Sequence, residues 1–239
     1  MDDTIERRDF LRSTSLAAGA AAALAAAPAL GQGSPTPAPK PATYEIKPLA
    51  LDPKNVKGLS EKILLSHHDN NYGGAVKRLN AITAQLAELD FGKAPVFVVN
   101  GLKREQLIAM NSMILHEIYF DCLAGGGAPG GALAEAMVRD FGSIDRWRDE
   151  FSAMGRAEGG GSGWVILAYS PRDRRLVNSW AADHTMTVAD GRPIIVLDMY
   201  EHAYHMDYGA KAAAYVDAFM DGIRWDNASK AFERVSRET

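Results

Sequence analysis

The sequence of 239 residues is long enough for one or two domains with a sizeable core, and its 47% hydrophobic and 23% charged residues are typical of a soluble globular protein. The formal net charge of -4 gives no indication of a nucleic acid or an anionic membrane surface as a partner. Cys122 is the single cysteine, which excludes an intrachain disulfide and a cysteine-rich zinc or iron–sulfur site.

Residues 1–31 resemble a twin-arginine export signal rather than a part of the fold. Arg7 and Arg8 precede an apolar pair and then an alanine-rich run over residues 16–30, which is too short and too weakly apolar for a stable membrane span. The alternative is a retained amphipathic tail. An export signal implies a periplasmic or secreted protein that leaves by the twin-arginine route and has no membrane segment in its mature form.

The next part of the chain predicts a pair of long helices. Residues 32–43 are proline-rich and predict an extended tether, so folded structure should begin near Tyr44. One helix is expected from about Ser60, which suits an N-cap, to about residue 90. A second helix, at about 103–122, is apolar around most of its circumference and should be buried. The two helices make up a predicted helical hairpin domain, residues 44–124.

A glycine-rich stretch at residues 125–131 marks the predicted boundary to an α/β domain, residues 125–239. Apolar runs between turn signals predict three strands, at residues 164–169, 176–180 and 194–198. Helical patterns surround them at about 132–140, 143–156, 200–222 and 226–236. The predicted fold class is therefore α+β, with an N-terminal long helical hairpin followed by a C-terminal domain that has a three-stranded antiparallel sheet and surrounding helices.

The third predicted strand ends on a carboxylate, Asp198, and His202 follows four positions later in what reads as the first turn of a helix. A strand end and a helix turn can bring this oxygen and this nitrogen to the same side, a donor pair that suits a borderline first-row metal. The alternative is a junction whose polar residues only cap the helix and form hydrogen bonds. The metal interpretation needs further ligands upstream.

Two upstream histidines are candidates for those ligands. His67 lies on a helix face with apolar ends, because Ile63, His67, Asn71, Ala75 and Leu79 are spaced by four. His116 lies in the buried second helix, where an unpaired ring nitrogen is costly. Each histidine alone is compatible with an ordinary core position, bonded to a carbonyl or a water. Three histidines and one carboxylate without sulfur together favour iron or manganese over zinc.

With these residues in place, the chain resembles the iron/manganese superoxide dismutase family from about residue 44 to residue 235. The segment Asp198-Met199-Tyr200-Glu201-His202-Ala203-Tyr204 is similar to the family signature, which usually has Trp where this chain has Tyr200. The similarity continues through 139–143, 161–164 and Trp225. The resemblance implies one Fe or Mn per subunit, held by His67, His116, Asp198 and His202. It also implies conversion of superoxide to dioxygen and hydrogen peroxide.

The resemblance assigns two further roles. In the family a side chain hydrogen-bonds the solvent molecule on the metal, and the contact tunes the metal's redox potential. Ser112 stands at one of the places where members have Gln and is too short, so His184, within Asp183-His184-Thr185, is expected to take this role. Glu201 is expected to reach across a two-fold axis to His202 of the other subunit, which implies a homodimer.

The chain departs from the family at the entrance to the site. Members usually have a gate His and a gate Tyr where this chain has Asn71 and Ala75. A second Tyr of the family, which pairs with the gate His across the dimer, is replaced in this chain by His205. An Asn71–His205 contact is expected to compensate. The missing Tyr normally takes part in proton delivery. The alternative function is therefore an exported metal-binding homologue with weak or lost dismutase activity.

Overall fold

The computed structural model describes residues 40–237, so the proposed export signal and the first part of the predicted tether lie outside the described residues. The described residues belong to one compact unit by their contacts. The predicted boundaries of the domains at residues 31, 43 and 124 stay predictions. Among the described residues, no helix combines the length and the apolar character that a membrane span requires.

The helical hairpin begins with a helix that changes its winding in the middle. A 3-10 turn, Pro53–Asn55, precedes α1, Glu61–Ser66, whose first turn is capped by the Ser60 hydroxyl accepting from the Ile63 amide at 3.2 Å. A π-helical stretch, His67–Tyr72, joins α1 directly to α2, Gly73–Glu88. The wider π turn changes the directions in which its side chains point, and such turns occur frequently at functional sites. Here it begins on His67.

The second arm of the hairpin is α3, Val96–Asp121, which packs along α2. It begins seven residues before the predicted start, at the position after Pro95, which occupies its N-cap. The run Val96-Phe97-Val98-Val99 gives no helical periodicity, and two of its side chains, those of Val96 and Phe97, stay exposed. The helix therefore begins directly after Pro95 although its first side chains are not packed.

The C-terminal part has the predicted three-stranded antiparallel sheet, and its strand order is β2-β1-β3. The strands are β1, Trp164–Ser170, β2, Arg175–Ala181, and β3, Arg192–Asp198. The central strand β1 is buried along its whole length, which explains its continuous apolar sequence. Trp164 pairs with Ala181 on one side and with Asp198 on the other, so the start of β1 lies beside the end of β3.

Helices cover the sheet and confirm the α+β fold class. They are α4, Gly131–Phe141, α5, Ile144–Ala157, α6, His205–Tyr208, α7, Ala212–Asp221, and α8, Trp225–Arg237. The predicted helix at 200–222 is divided into a 3-10 turn, Glu201–Ala203, then α6 and α7, and Gly209 with φ 55° lies at the break between α6 and α7. Gly155 lets α5 approach the sheet closely, since a Cβ there would lie 2.9 Å from Leu197 Cδ2.

Candidate metal centre

Four side chains from four different elements meet where the helical hairpin packs against the end of the sheet. His67 is the first residue of the π-helical stretch, His116 lies in α3, Asp198 ends β3, and His202 is in the 3-10 turn that follows it. Their ligand atoms all lie within 4.8 Å of one another. The structure thus brings together all four residues that the resemblance assigns to the metal.

One carboxylate oxygen, Asp198 Oδ2, faces all three imidazoles. It lies 3.1 Å from His67 Nε2, 3.3 Å from His202 Nε2 and 3.6 Å from His116 Nε2. The other oxygen, Oδ1, accepts a hydrogen bond from the Tyr200 amide at 2.8 Å. The turn after β3 therefore fixes the carboxylate so that Oδ2 points at the ring nitrogens.

The histidines present free nitrogens to the same point. His116 Nδ1 donates to the carbonyl oxygen of Ser112 at 2.6 Å, so its Nε2 keeps the lone pair that a metal ligand needs. The Nε2 atoms of His116 and His202 are buried and have no hydrogen-bond partner among the described residues. Buried polar atoms are rarely left unpaired without a reason. An ion among three nitrogens and one carboxylate oxygen would satisfy them, so the residues present fit iron or manganese.

Burial keeps the cluster in the protonation state that metal binding requires. Burial lowers the pKa of His116 to about 3 and also lowers the pKa of His67, so both rings are neutral near pH 7. Burial acts to raise the pKa of Asp198, but the interactions of its carboxylate with the nearby His202 and His67 imidazoles outweigh burial and hold this pKa below its usual range. A carboxylate and neutral imidazoles are ready to bind a cation without first losing protons.

Aromatic side chains that the sequence did not single out close the cluster from one side. The rings of Tyr119 and Phe120 each lie 5.1 Å from the His67 ring, and the Trp164 ring lies 5.1 Å from the His116 ring. These contacts leave little room for water around the two buried histidines. Because α3 is apolar around most of its circumference, its sequence does not indicate which residues Tyr119 and Phe120 face.

A hydroxyl pair supports the backbone at the carboxylate. Tyr215 in α7 donates to the carbonyl oxygen of Asp198 at 2.8 Å, and its hydroxyl lies 3.2 Å from that of Tyr119. Burial raises the pKa of both phenols far above the ordinary value, so both stay protonated. The end of β3 is thereby attached to α3 and α7 as well as to β1.

His184, the residue predicted to act on solvent at the metal, lies at the edge of the cluster. Its ring centroid is 6.3 Å from that of His116, and the Trp164 indole donates to His184 Nδ1 at 2.9 Å. Asn111 of α3 donates to the backbone oxygen of His184 at 2.5 Å. Burial lowers the pKa of His184, so the neutral ring carries its proton on Nε2.

The other predicted site residues lie nearer the surface. Asn71 is half-buried, whereas Glu201 and His205 are exposed in the single subunit. Within the described chain no hydrogen bond joins Asn71 to His205, so the compensating contact stays a prediction. Tyr72 cannot replace the missing gate Tyr from its present position, because its buried hydroxyl donates to Glu117 at 3.0 Å.

Comparison with known proteins identifies the family. Residues 129–231 match the family model for iron/manganese superoxide dismutases, C-terminal domain. The chain is 66% identical over 195 residues to an Fe superoxide dismutase of Cupriavidus metallidurans, covering 82% of this chain and 99% of that protein. It is 34% identical to Mn superoxide dismutase 1 of Halobacterium salinarum, over 81% of this chain and 96% of that protein.

A third relative, the Fe superoxide dismutase of Aquifex aeolicus, is 34% identical over 78% of this chain and 90% of its own length. On these similarities, the chain belongs to the iron/manganese superoxide dismutase family.

Proposed function

We propose that the protein is a superoxide dismutase that converts two superoxide anions and two protons to dioxygen and hydrogen peroxide. The observation that carries the proposal is the cluster of His67, His116, Asp198 and His202, whose ligand atoms converge within 4.8 Å. These four residues would hold one Fe or Mn per subunit. The chemistry that such an ion supplies is a one-electron cycle between its +3 and +2 states.

The chain's own residues bind the ion, exclude water and handle protons. Asp198 is held by the Tyr200 amide, and His116 by the Ser112 carbonyl, so both ligands keep their orientation. The rings of Phe120 and Trp164 exclude water from the buried side. His184 keeps its proton on Nε2, where it can donate to solvent or to a reduced oxygen species near the cluster.

Metal content and activity measured on the same samples test this proposal. Purified protein is loaded separately with iron and with manganese, and superoxide consumption is followed by pulse radiolysis. His116→Ala should lose bound metal and activity together. His68→Gln is the matched control, because His68 is bonded to Asp69 and to the Lys47 carbonyl rather than to the cluster, and it should keep both. Metal-loaded protein without superoxide-consuming activity would contradict the proposal.

A second candidate function, a metal-binding homologue with weak or lost activity, rests on Asn71 and Ala75. The Ala75 side chain is buried and has no hydroxyl with which to take part in proton delivery. The double substitution Asn71→His with Ala75→Tyr separates the two candidates. A large gain in rate from a very low starting rate supports the homologue, whereas a change of a few fold supports the enzyme.

The proposed enzyme is a homodimer in which Glu201 approaches His202 of the second subunit. Glu201 is exposed in the single subunit and is the neighbour of a ligand whose side chain is still 27% exposed. A contact between Glu201 and His202 of the second subunit would bury both side chains and couple metal binding to assembly of the dimer. Light scattering on the wild type and on Glu201→Ala tests it. A wild type that is monomeric at micromolar concentration would contradict the dimer.

Export by the twin-arginine route, to the periplasm or to the outside, completes the proposal. It is supported by Arg7, Arg8 and the alanine-rich run that follows them. Cell fractionation of the wild type and of the Arg7→Lys, Arg8→Lys double variant tests this localisation. Export that continues unchanged in the double variant would contradict it.

A further inference from the structure

Five arginines lie at the end of the sheet opposite the candidate metal centre. At one end of β1 Ser170 pairs with Arg175, whereas at the other end Trp164 pairs with Asp198. The strand has seven residues, so about 20 Å separates its two ends. The five residues belong to the last turn of α4, the turn between β1 and β2, the start of β2 and the start of β3. This arginine end consists of Arg139, Arg172, Arg174, Arg175 and Arg192.

Hydrogen bonds gather three of the arginines around one carboxylate. Arg139 donates to both oxygens of Asp140, at 2.8 and 2.7 Å, and Arg175 Nε donates to Asp140 Oδ1 at 3.3 Å. Arg139 also donates to the backbone oxygen of Arg174 at 3.2 Å. The side chains of Arg139 and Arg175 are still 56% and 59% exposed, although the carboxylate that they share is buried. One negative charge thus compensates two guanidinium groups, each of which has further N–H donors for a second anion.

Arg172 and Arg192 add positive charge that no acid neutralises by direct contact. Both residues are exposed, and their guanidinium groups form no ion pair among the described residues. The two acids near them face the turn instead: Asp190 accepts from the Arg172 amide at 2.8 Å, and Asp173 lies 3.3 Å from the Ser170 hydroxyl. With the shared carboxylate, three acids thus stand against five arginines. The net charge of -4 for the whole chain conceals this local positive excess.

The chemistry of the arginine end suits a surface that carries many phosphate groups. The planar guanidinium group of arginine matches a phosphate with two parallel hydrogen bonds, which the ammonium group of lysine cannot form. Val188, 38% exposed, lines a groove together with Arg175 and can enter an apolar layer beneath the phosphates. Tyr169 is buried against Phe232 and offers no ring face to a nucleic-acid base. These features favour lipid headgroups over a nucleic acid.

We propose that the arginine end docks this protein on the phosphate groups of an anionic lipid surface. The attachment is peripheral and electrostatic, so it needs no membrane-spanning helix and weakens as the salt concentration rises. In this orientation the candidate metal centre lies at the far end of the sheet and faces away from the lipid. The surface around Glu201, which the proposed dimer uses, follows β3 at that far end and also stays free. The inference does not depend on the proposed function.

Sedimentation of metal-loaded protein with vesicles tests the proposal. The wild type should bind vesicles of phosphatidylcholine with phosphatidylglycerol at low salt, and should not bind vesicles of phosphatidylcholine alone. The Arg172→Gln, Arg192→Gln double variant should bind about 20-fold more weakly, at roughly fivefold for each arginine. The control is Lys57→Gln, Lys62→Gln, which removes the same charge from exposed positions before and within α1 and should bind like the wild type. Residues 1–31 are the same in all three proteins, so they cannot cause a difference.

Three results would overturn the inference: a wild type that does not bind the anionic vesicles at low salt, a double arginine variant that binds as well as the wild type, or a lysine control that loses as much binding. A wild type that binds duplex DNA through the same arginines, but not vesicles, would assign the arginine end to a nucleic acid instead. The urea midpoint of the double arginine variant should equal that of the wild type, because the replaced groups are exposed and unpaired. If it does not, Arg192→Gln alone decides, with an expected loss of about fivefold.

Discussion

Glu158 is a buried acid whose ionisation should make the stability of this protein fall as the pH rises. The residue follows α5 and is 5% exposed, and neither carboxylate oxygen has a hydrogen-bond partner among the described residues. Burial raises its pKa from 4.5 to about 8, and the charge of Asp198 adds to the effect. The folded protein therefore keeps a proton on Glu158 at a pH where the unfolded chain has released it.

The sign and size of the effect follow from that difference. Between pH 4.5 and pH 8 the folded state binds more protons at this position, so the stabilising contribution is complete below pH 4.5 and is lost as the pH rises through the folded pKa. At about 1.4 kcal/mol for each pH unit inside this window, the loss between pH 5 and pH 8 is about 3.5 kcal/mol.

Glu158→Gln isolates this contribution, because the amide has nearly the same shape as the protonated acid and never ionises. The free energy of unfolding in urea, measured with the same metal bound, should differ between wild type and variant by a nearly constant amount below about pH 4. Between pH 5 and pH 8 the difference should move by about 3.5 kcal/mol in favour of the variant. The exposed Glu135→Gln is the control. A difference that stays flat from pH 5 to pH 8, or a control that reproduces the change, would refute the reasoning.

Three shorter predictions concern other positions. Gly163→Ala should lower the free energy of unfolding by about 2–3 kcal/mol, because Gly163 has φ 156° and a Cβ would lie 2.5 Å from the Ala181 carbonyl oxygen; an unchanged urea midpoint would contradict it. Burial raises the pKa of the Cys122 thiol to about 12, so iodoacetamide at pH 8 should alkylate Cys122 only after unfolding, as mass spectrometry will show. Burial lowers the pKa of His116 from 6.5 to about 3, so metal-free protein should lose stability as the pH falls from 6.5 toward 3. His116→Gln should lose that part of the pH slope in urea titrations, and a slope equal to that of the wild type would count against it.

The amino-acid pattern predicts most of the elements because their periodicities are local. The strand at 194–198 reads as a buried run that ends on a carboxylate, and β3 ends on Asp198. The spacing of four from Ile63 to Leu79 places His67 on the inner face, and His67 is 1% exposed. The pattern does not predict the π-helical winding at residues 67–72, because a wider helical turn requires no particular residue type.

The sequence by itself determined the fold class and most of the elements, which depend on residue types at fixed local spacing, and its resemblance to the family assigned the four candidate ligands. Only the tertiary structure decided what surrounds His184. Trp164, Asn111 and Tyr200 reach it from β1, from α3 and from the turn after β3, over separations in the chain that no local pattern encodes. The tertiary structure alone also decided the burial of Glu158, because a carboxylate loses its water only when residues distant in sequence pack around it.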